Sequence, residues 1–257
     1  MTAKFMGDFH LLEACQQSGC PICRCLESDC RRHMDALIYE HVNDPDTRAS
    51  LRASWGFCNW HTWMLVEVEG AVTGAAIVYE DLLGTVLRRV RRVSGRTISA
   101  GTLARRVYGV FVGRRSGIAT RYERRLTCPI CLHSRRGEAR YVDAALHGIG
   151  DPEFDRAYEK SDGICLPHLL QAVERDRRRR AADDLVARTL AKWQALRDDL
   201  QRFVRKQDYR NTEPFTEAEA SSSTRAFEAL VGRRAVFGNE LHRHGRPDVI
   251  RARRPGA

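Results

Sequence analysis

The chain has almost no lysine and no apolar run long enough to cross a membrane. Of its 43 basic residues, 39 are arginine. The most apolar stretch, Ala71 to Leu87, carries Glu80 and Asp81 in its middle and is shorter than the roughly 20 residues that a membrane helix needs. No apolar signal segment precedes the first cysteines. We therefore predict that the protein has no membrane segment.

Motifs for the common kinds of enzyme chemistry are also missing. The sequence contains no nucleophile elbow, phosphate-binding loop, dinucleotide fingerprint or zinc-protease helix. Its helical carboxylates stand at positions typical of a solvated helix face. We therefore predict no catalytic residue, and the sequence favours a protein that is not an enzyme.

The remaining composition is that of an ordinary folded protein. A chain of 257 residues with 43% hydrophobic content can build a substantial core. The number of cysteines is nine, which is odd. Six of them, with two histidines, have the spacings of metal ligands rather than those of a disulfide framework. A reducing cytoplasm is the predicted location.

One pattern occurs twice. Cys20-Pro21-Ile22-Cys23 and the later Gly56-Phe57-Cys58-Asn59-Trp60-His61 return as Cys128-Pro129-Ile130-Cys131 and Gly163-Ile164-Cys165-Leu166-Pro167-His168. An Asp-Pro pair lies 14 residues before the third cysteine in both copies, at Asp44 and Asp151. The common register predicts two related helical modules.

Each copy supplies three thiols and one imidazole, the ligand set of a closed tetrahedral zinc site. The prolines hold each Cys-Pro-Ile-Cys in a tight turn, and a spacing of three places each Cys and His on one face of a helix start. We expect one metal per copy, held by Cys20, Cys23, Cys58 and His61 in the first, and by Cys128, Cys131, Cys165 and His168 in the second. Four protein ligands leave no open position, so a structural role follows. An iron–sulfur cluster is the alternative cofactor.

Other soft ligands have less support. Cys25 and His133 each lie two residues after the second cysteine of their motif, so each could replace a ligand or serve as a reserve, or else be structural. Cys15 is predicted to belong to the core. The remaining candidates have no counterpart in the other copy and are interpreted as bystanders: Cys30, His33, His41, His147, His242 and His244.

Apolar spacing predicts an all-α fold of two repeated metal-stapled modules with long pairing helices. We expect a helix from Arg24 to Val42, a short one from Pro45 to about Ser54, and long helices over Leu65–Val93 and Val186–Phe203. The predicted organisation is a first module at 1–93, a Gly/Arg-rich linker at 94–117, a second module at 118–210, and a partly disordered tail at 211–257, with a short helix over Arg225–Val231.

Basic residues are concentrated between Arg88 and Arg125, where twelve arginines accompany the single acid Glu123. Clustered arginines neutralise phosphates, which makes nucleic-acid binding one hypothesis. A solvated face in an arginine-biased protein is the simpler interpretation.

Three functions remain open. The first is a non-enzymatic zinc protein that acts as an interaction or regulatory component with a protein partner. The second is an iron–sulfur or thiol-based redox protein. The third is nucleic-acid binding through the segment 88–125.

Together, the Cys-Pro-Ile-Cys, Asn-Asp-Pro and Gly-Phe-Cys-Asn-Trp-His segments and the later Arg205-Lys206-Gln207-Asp208-Tyr209-Arg210 resemble an uncharacterised bacterial family catalogued as a domain of unknown function. The resemblance spans about residues 15 to 232. It implies a cytoplasmic, helical, cysteine-rich bacterial protein and no established activity. The family pattern often has phenylalanine after Asp-Tyr-Arg, where this chain has Asn211.

Overall fold

The computed structural model describes residues 6–98, 127–176, 180–234, 236 and 237. Over these residues it contains ten helices and no strand, which confirms the all-α prediction. In chain order they are α1 (Met6–Ala14), α2 (Pro21–Tyr39), α3 (Pro45–Ser54), α4 (Asn59–Val66), α5 (Val72–Ile98), α6 (Pro129–Gly148), α7 (Pro152–Lys160), α8 (Leu166–Arg175), α9 (Arg180–Lys206) and α10 (Glu217–Val231).

The helix starts follow from local sequence. Both α2 and α6 begin at the proline of a Cys-Pro-Ile-Cys motif. Proline is favoured there because the N–H of a first helical residue makes no hydrogen bond within the helix, so its absence costs nothing. The carboxylates of Asp44 and Asp151 accept hydrogen bonds from the first backbone N–H groups of α3 and α7, as an N-cap residue does. The predicted short helix from Pro45 to Ser54 is confirmed.

The predicted helix over 65–93 is two helices. Helix α4 ends at Val66 and α5 begins at Val72, with Gly70 between them at φ +71°, a left-handed conformation that glycine adopts without strain. Helix α5 then continues to Ile98, into the segment predicted as a linker, whose residues 99–117 lie outside the described chain. In the tail, α10 begins at Glu217 rather than Arg225; the residues predicted to be disordered lie beyond 237.

Helices α2 and α6 pack against each other in opposite directions at the centre of the molecule. Tyr141 donates a hydrogen bond to Asp29, whereas His33, one turn further along α2, stacks on His133, two turns earlier in α6. At Gly137 the two helices approach closely, since a Cβ there would lie 3.3 Å from Leu26. Their N-termini therefore lie at opposite ends of the pair.

Two hydrophobic cores flank this pair, one built around the start of α2 with α6 to α9, and one around the rest of α2 with α3 to α5 and the start of α6. The long helices have different main partners from those predicted. In the described chain, α5 packs on α2 and α3, whereas α9 packs along α10. None of the described helices is both long enough and apolar enough to cross a membrane.

Candidate metal centres

The eight predicted ligands form two clusters, but each cluster takes half of its residues from each copy of the motif. We call Cys20, Cys23, Cys165 and His168 the first centre, and Cys58, His61, Cys128 and Cys131 the second centre. Within each centre the four ligand atoms all lie within 4.8 Å of one another. The prediction that each copy closes its own site is wrong.

The antiparallel arrangement of α2 and α6 explains the crossed pairing. Because the helices run in opposite directions, the end of α6 at Gly148 lies near the start of α2, and the short α7 then delivers Cys165 to Cys20 and Cys23. By the same geometry, the end of α2 lies near the start of α6, and α3 delivers Cys58 to Cys128 and Cys131.

In the first centre, the Nδ1 atom of His168 faces three sulfurs. It lies 3.5 Å from Sγ of Cys20, 3.5 Å from Sγ of Cys23 and 3.2 Å from Sγ of Cys165. The Cys23 and Cys165 sulfurs are 3.7 Å apart. All four residues are buried, so these polar atoms have mainly one another as partners.

The second centre repeats this geometry. Nδ1 of His61 lies 3.1 Å from Sγ of Cys58, 3.6 Å from that of Cys128 and 3.3 Å from that of Cys131. The Cys58 and Cys131 sulfurs are 3.6 Å apart. Cys131 differs from the other eight cysteines of the chain because it is partly exposed.

In each centre the neighbouring groups favour one thiolate, whereas the pKa values of Cys23 and Cys165 in the first centre and of Cys131 in the second are raised, chiefly by the hydrogen bonds of the other thiols. Burial alone would raise the pKa of Cys20, but hydrogen bonds from Cys165, Cys23 and His168 bring it well below its usual value. Hydrogen bonds from Cys128 and Cys131 likewise lower the pKa of Cys58. A buried thiolate needs a compensating positive charge, which a metal ion supplies when it is bound.

The two histidines differ in what supports them from outside the centre. Nε2 of His168 lies 3.3 Å from a carboxylate oxygen of Glu138, an arrangement that orients metal-binding histidines. Nε2 of His61 and Nε2 of His168 are both buried without a hydrogen bond of ordinary geometry among the described residues, so the two differ in their neighbours: His168 has the Glu138 carboxylate, and His61 has the thiol of Cys30. Cys30 is not one of the four ligands, although it lies next to one of them.

Further residues around the first centre had no sequence signal. The backbone N–H of Arg233 donates to Sγ of Cys23 at 3.5 Å, and the Phe237 ring lies 5.1 Å from the His168 ring. Arg233 and Phe237 are far from the motifs in sequence, and Glu138 follows the Cys-Pro-Ile-Cys whose cysteines belong to the other centre, so only the tertiary structure brings these residues to the first centre.

Neither Cys25 nor His133 joins a centre. Cys25 is buried in the first core, and His133 stacks on His33. Cys15 is a core residue, as predicted. Of the arginine-rich segment, Arg88 and Arg91 are exposed on α5, whereas residues 99–125 lie outside the described chain, so nucleic-acid binding stays a prediction.

Comparison with known proteins gives a family without an assigned activity. An uncharacterised 23.9 kDa protein in the xynA 3′ region of Caldicellulosiruptor sp. (strain Rt8B.4) is 25% identical over 210 residues, which cover 78% of this chain and 88% of that protein. No solved structure matches the chain. The model of a family of unknown function, DUF6062, matches residues 9–236. The chain belongs to this family.

Proposed function

We propose that the protein is a non-enzymatic zinc protein in which two Cys3His sites fasten the two halves of one helical body together. The observation that carries the proposal is the crossed ligand pairing, with four ligand atoms within 4.8 Å in each centre. Each site has four protein ligands, which leaves no position for a bound water. The site residues therefore bind and hold; they do not activate a substrate.

The spacing of the ligand atoms supports a single ion in each centre. A tetrahedral zinc with Zn–S bonds of about 2.3 Å places its sulfurs roughly 3.8 Å apart and each sulfur roughly 3.6 Å from the nitrogen. The sulfur–sulfur distances of 3.6 and 3.7 Å and the sulfur–nitrogen distances of 3.1 to 3.6 Å are close to these values. An iron–sulfur cluster inserts several iron and sulfide atoms between its ligands and so needs a wider cage.

The sequence separation of the ligands supports a fastening role. His168 lies 145 residues from Cys23, and Cys131 lies 73 residues from Cys58. A structural zinc contributes an apparent binding free energy of about 10 to 16 kcal/mol, which is comparable to the stability of a whole domain. The fastened body would serve as an interaction or regulatory component whose partner is a protein.

Metal analysis of two paired variants tests both the metal and the crossed pairing. The wild-type protein, purified without oxygen, should contain about two zinc ions per chain and show no visible absorption band. Replacing Cys20 and Cys165 together by serine removes two ligands of the first centre only, so about one zinc should remain.

The matched control replaces Cys20 and Cys58, which belong to different centres. We expect almost complete loss of zinc in this variant. If instead the Cys20 and Cys58 replacement keeps one ion and the Cys20 and Cys165 replacement keeps none, each copy closes its own site. Iron with a charge-transfer band in the wild-type protein would refute the zinc proposal and support a redox function.

A further inference from the structure

We propose that the two centres release their metal ions at different rates: the first centre retains its ion, and the second centre exchanges its ion more readily. This inference rests on the proposed function, because it concerns the same two sites. It follows from differences in what surrounds each set of ligands, described below.

The first centre is covered by the end of the described chain. We call residues 232–234 with 236 and 237 the C-terminal strap. The strap touches two ligands directly, through the N–H group of Arg233 at Sγ of Cys23 and the ring of Phe237 against His168. Val236, which is buried, anchors it in the first core.

Ionic contacts and a glycine turn hold the strap in place. The guanidinium of Arg233 binds Glu27 of α2 and, at 3.1 Å, Glu228 of α10. The chain turns at Gly232 with φ +77°, and a Cβ there would lie 2.2 Å from the Phe237 ring. Only glycine allows the ring to fold back over the centre.

The carboxylate behind His168 adds to this difference. Glu138 lies 3.3 Å from Nε2 of His168 in an ion-pair contact, which favours the ring orientation in which Nδ1 faces the sulfurs. Removing such an outer partner typically weakens metal binding by about 10- to 100-fold. His61 has Cys30 as its neighbour instead, and a thiol is a much weaker acceptor than a carboxylate.

Access to the second centre is also easier. Part of the Cys131 residue reaches the surface, whereas all three cysteines of the first centre are buried; the ligand groups are buried in both centres. An approaching chelator must reach a ligand before it can remove the ion, so a ligand residue that reaches the surface shortens that path. Metal should therefore leave the second centre first.

A chelator challenge of the zinc-loaded, full-length protein tests the inference. With an excess of a chromogenic chelator, we expect release in two phases of equal amplitude whose rates differ by at least about tenfold. Phe237→Ala should accelerate the slow phase by a similar factor and leave the fast phase unchanged. Arg234→Ala, an exposed substitution in the same strap, is the matched control and should change neither phase.

Glu138→Gln provides a second readout that does not disturb the strap, and it should likewise accelerate only the slow phase. If Phe237→Ala loses helical circular dichroism, the result with Glu138→Gln decides whether the inference holds. A single release phase in the wild type, or a slow phase unaffected by both variants, overturns the inference while the two bound zinc ions still support the proposed function. A wild-type protein that binds no zinc overturns both.

Discussion

His33 of α2 and His133 of α6 stack face to face, with ring centroids 4.1 Å apart and planes inclined by 7°. The pair lies in the contact between the antiparallel helices α2 and α6, and both rings are partly buried. Burial, the charge of His133 and the charge of His41 lower the pKa of His33. Burial and the nearby cations Arg140 and Arg136 lower that of His133, against the opposing effect of Asp29.

Stability should therefore depend on pH through His33. Because the folded protein binds a proton there less readily than the unfolded chain, the free energy of unfolding should fall as pH decreases from about 6.5 towards the lowered pKa. His33→Gln removes this contribution, so its denaturation midpoint should depend less steeply on pH than that of the wild type. Parallel pH profiles for the two proteins would contradict the prediction.

Gly74 and Gly84, both in α5, should respond oppositely to alanine. A Cβ at Gly74 would lie 2.4 Å from the Ile38 side chain and 2.9 Å from its backbone oxygen, so Gly74→Ala should destabilise the protein by about 1 to 3 kcal/mol through overpacking. A Cβ at Gly84 would meet only the movable end of Arg88. Gly84→Ala should then stabilise the helix by up to about 1 kcal/mol. Urea denaturation measures both changes.

The hydroxyl of Tyr158 supports the turn that leads into Cys165. It forms a 2.7 Å hydrogen bond with Thr189 and accepts one from the backbone N–H of Ile164. Tyr158→Phe leaves that buried N–H without a partner, which should cost about 1 to 3 kcal/mol. Thermal denaturation should show the loss, whereas Tyr209→Phe, at an 85% exposed residue, should change stability little.

The stability that the Asp151 cap gives to the start of α7 should come from its hydrogen bonds rather than from its charge, and two substitutions separate these contributions. Asp151 accepts hydrogen bonds from the N–H groups of Glu153 and Phe154. Asp151→Ala removes the acceptor and should cost about 1 kcal/mol, whereas Asp151→Asn keeps an acceptor oxygen and should cost less. Equal losses in urea denaturation would assign the effect to charge rather than to capping.

Local sequence determined the ligand residues but not their pairing. The first helical turn at Cys20-Pro21-Ile22-Cys23 and the helix start at Cys58 and His61 depend on neighbours within a few residues, so spacing identified them. The partner of each turn depends on the opposite directions of α2 and α6, which arise from contacts such as that between Asp29 and Tyr141. No local pattern contains that information.

The dependence on distant contacts and on single backbone turns also explains the other differences between the predicted and the observed structure. Apolar spacing continues from Leu65 into α5 and predicted one helix, whereas the left-handed turn at Gly70 divides it. The cover over the first centre comes from Arg233 and Phe237, which stand more than 200 residues after Cys23. Their role depends on the docking of α10 against α8 and α9.

The crossed pairing is the one that two separate molecules would use if each metal centre were shared between them. A peptide with only the first Cys-Pro-Ile-Cys and the first Cys-x-x-His has four ligands. Its two ligand pairs lie at opposite ends of α2, so the length of that helix keeps them apart. Such a peptide would complete its sites only by meeting a second molecule. In the joined chain the partner is always present, so assembly of the sites no longer depends on protein concentration.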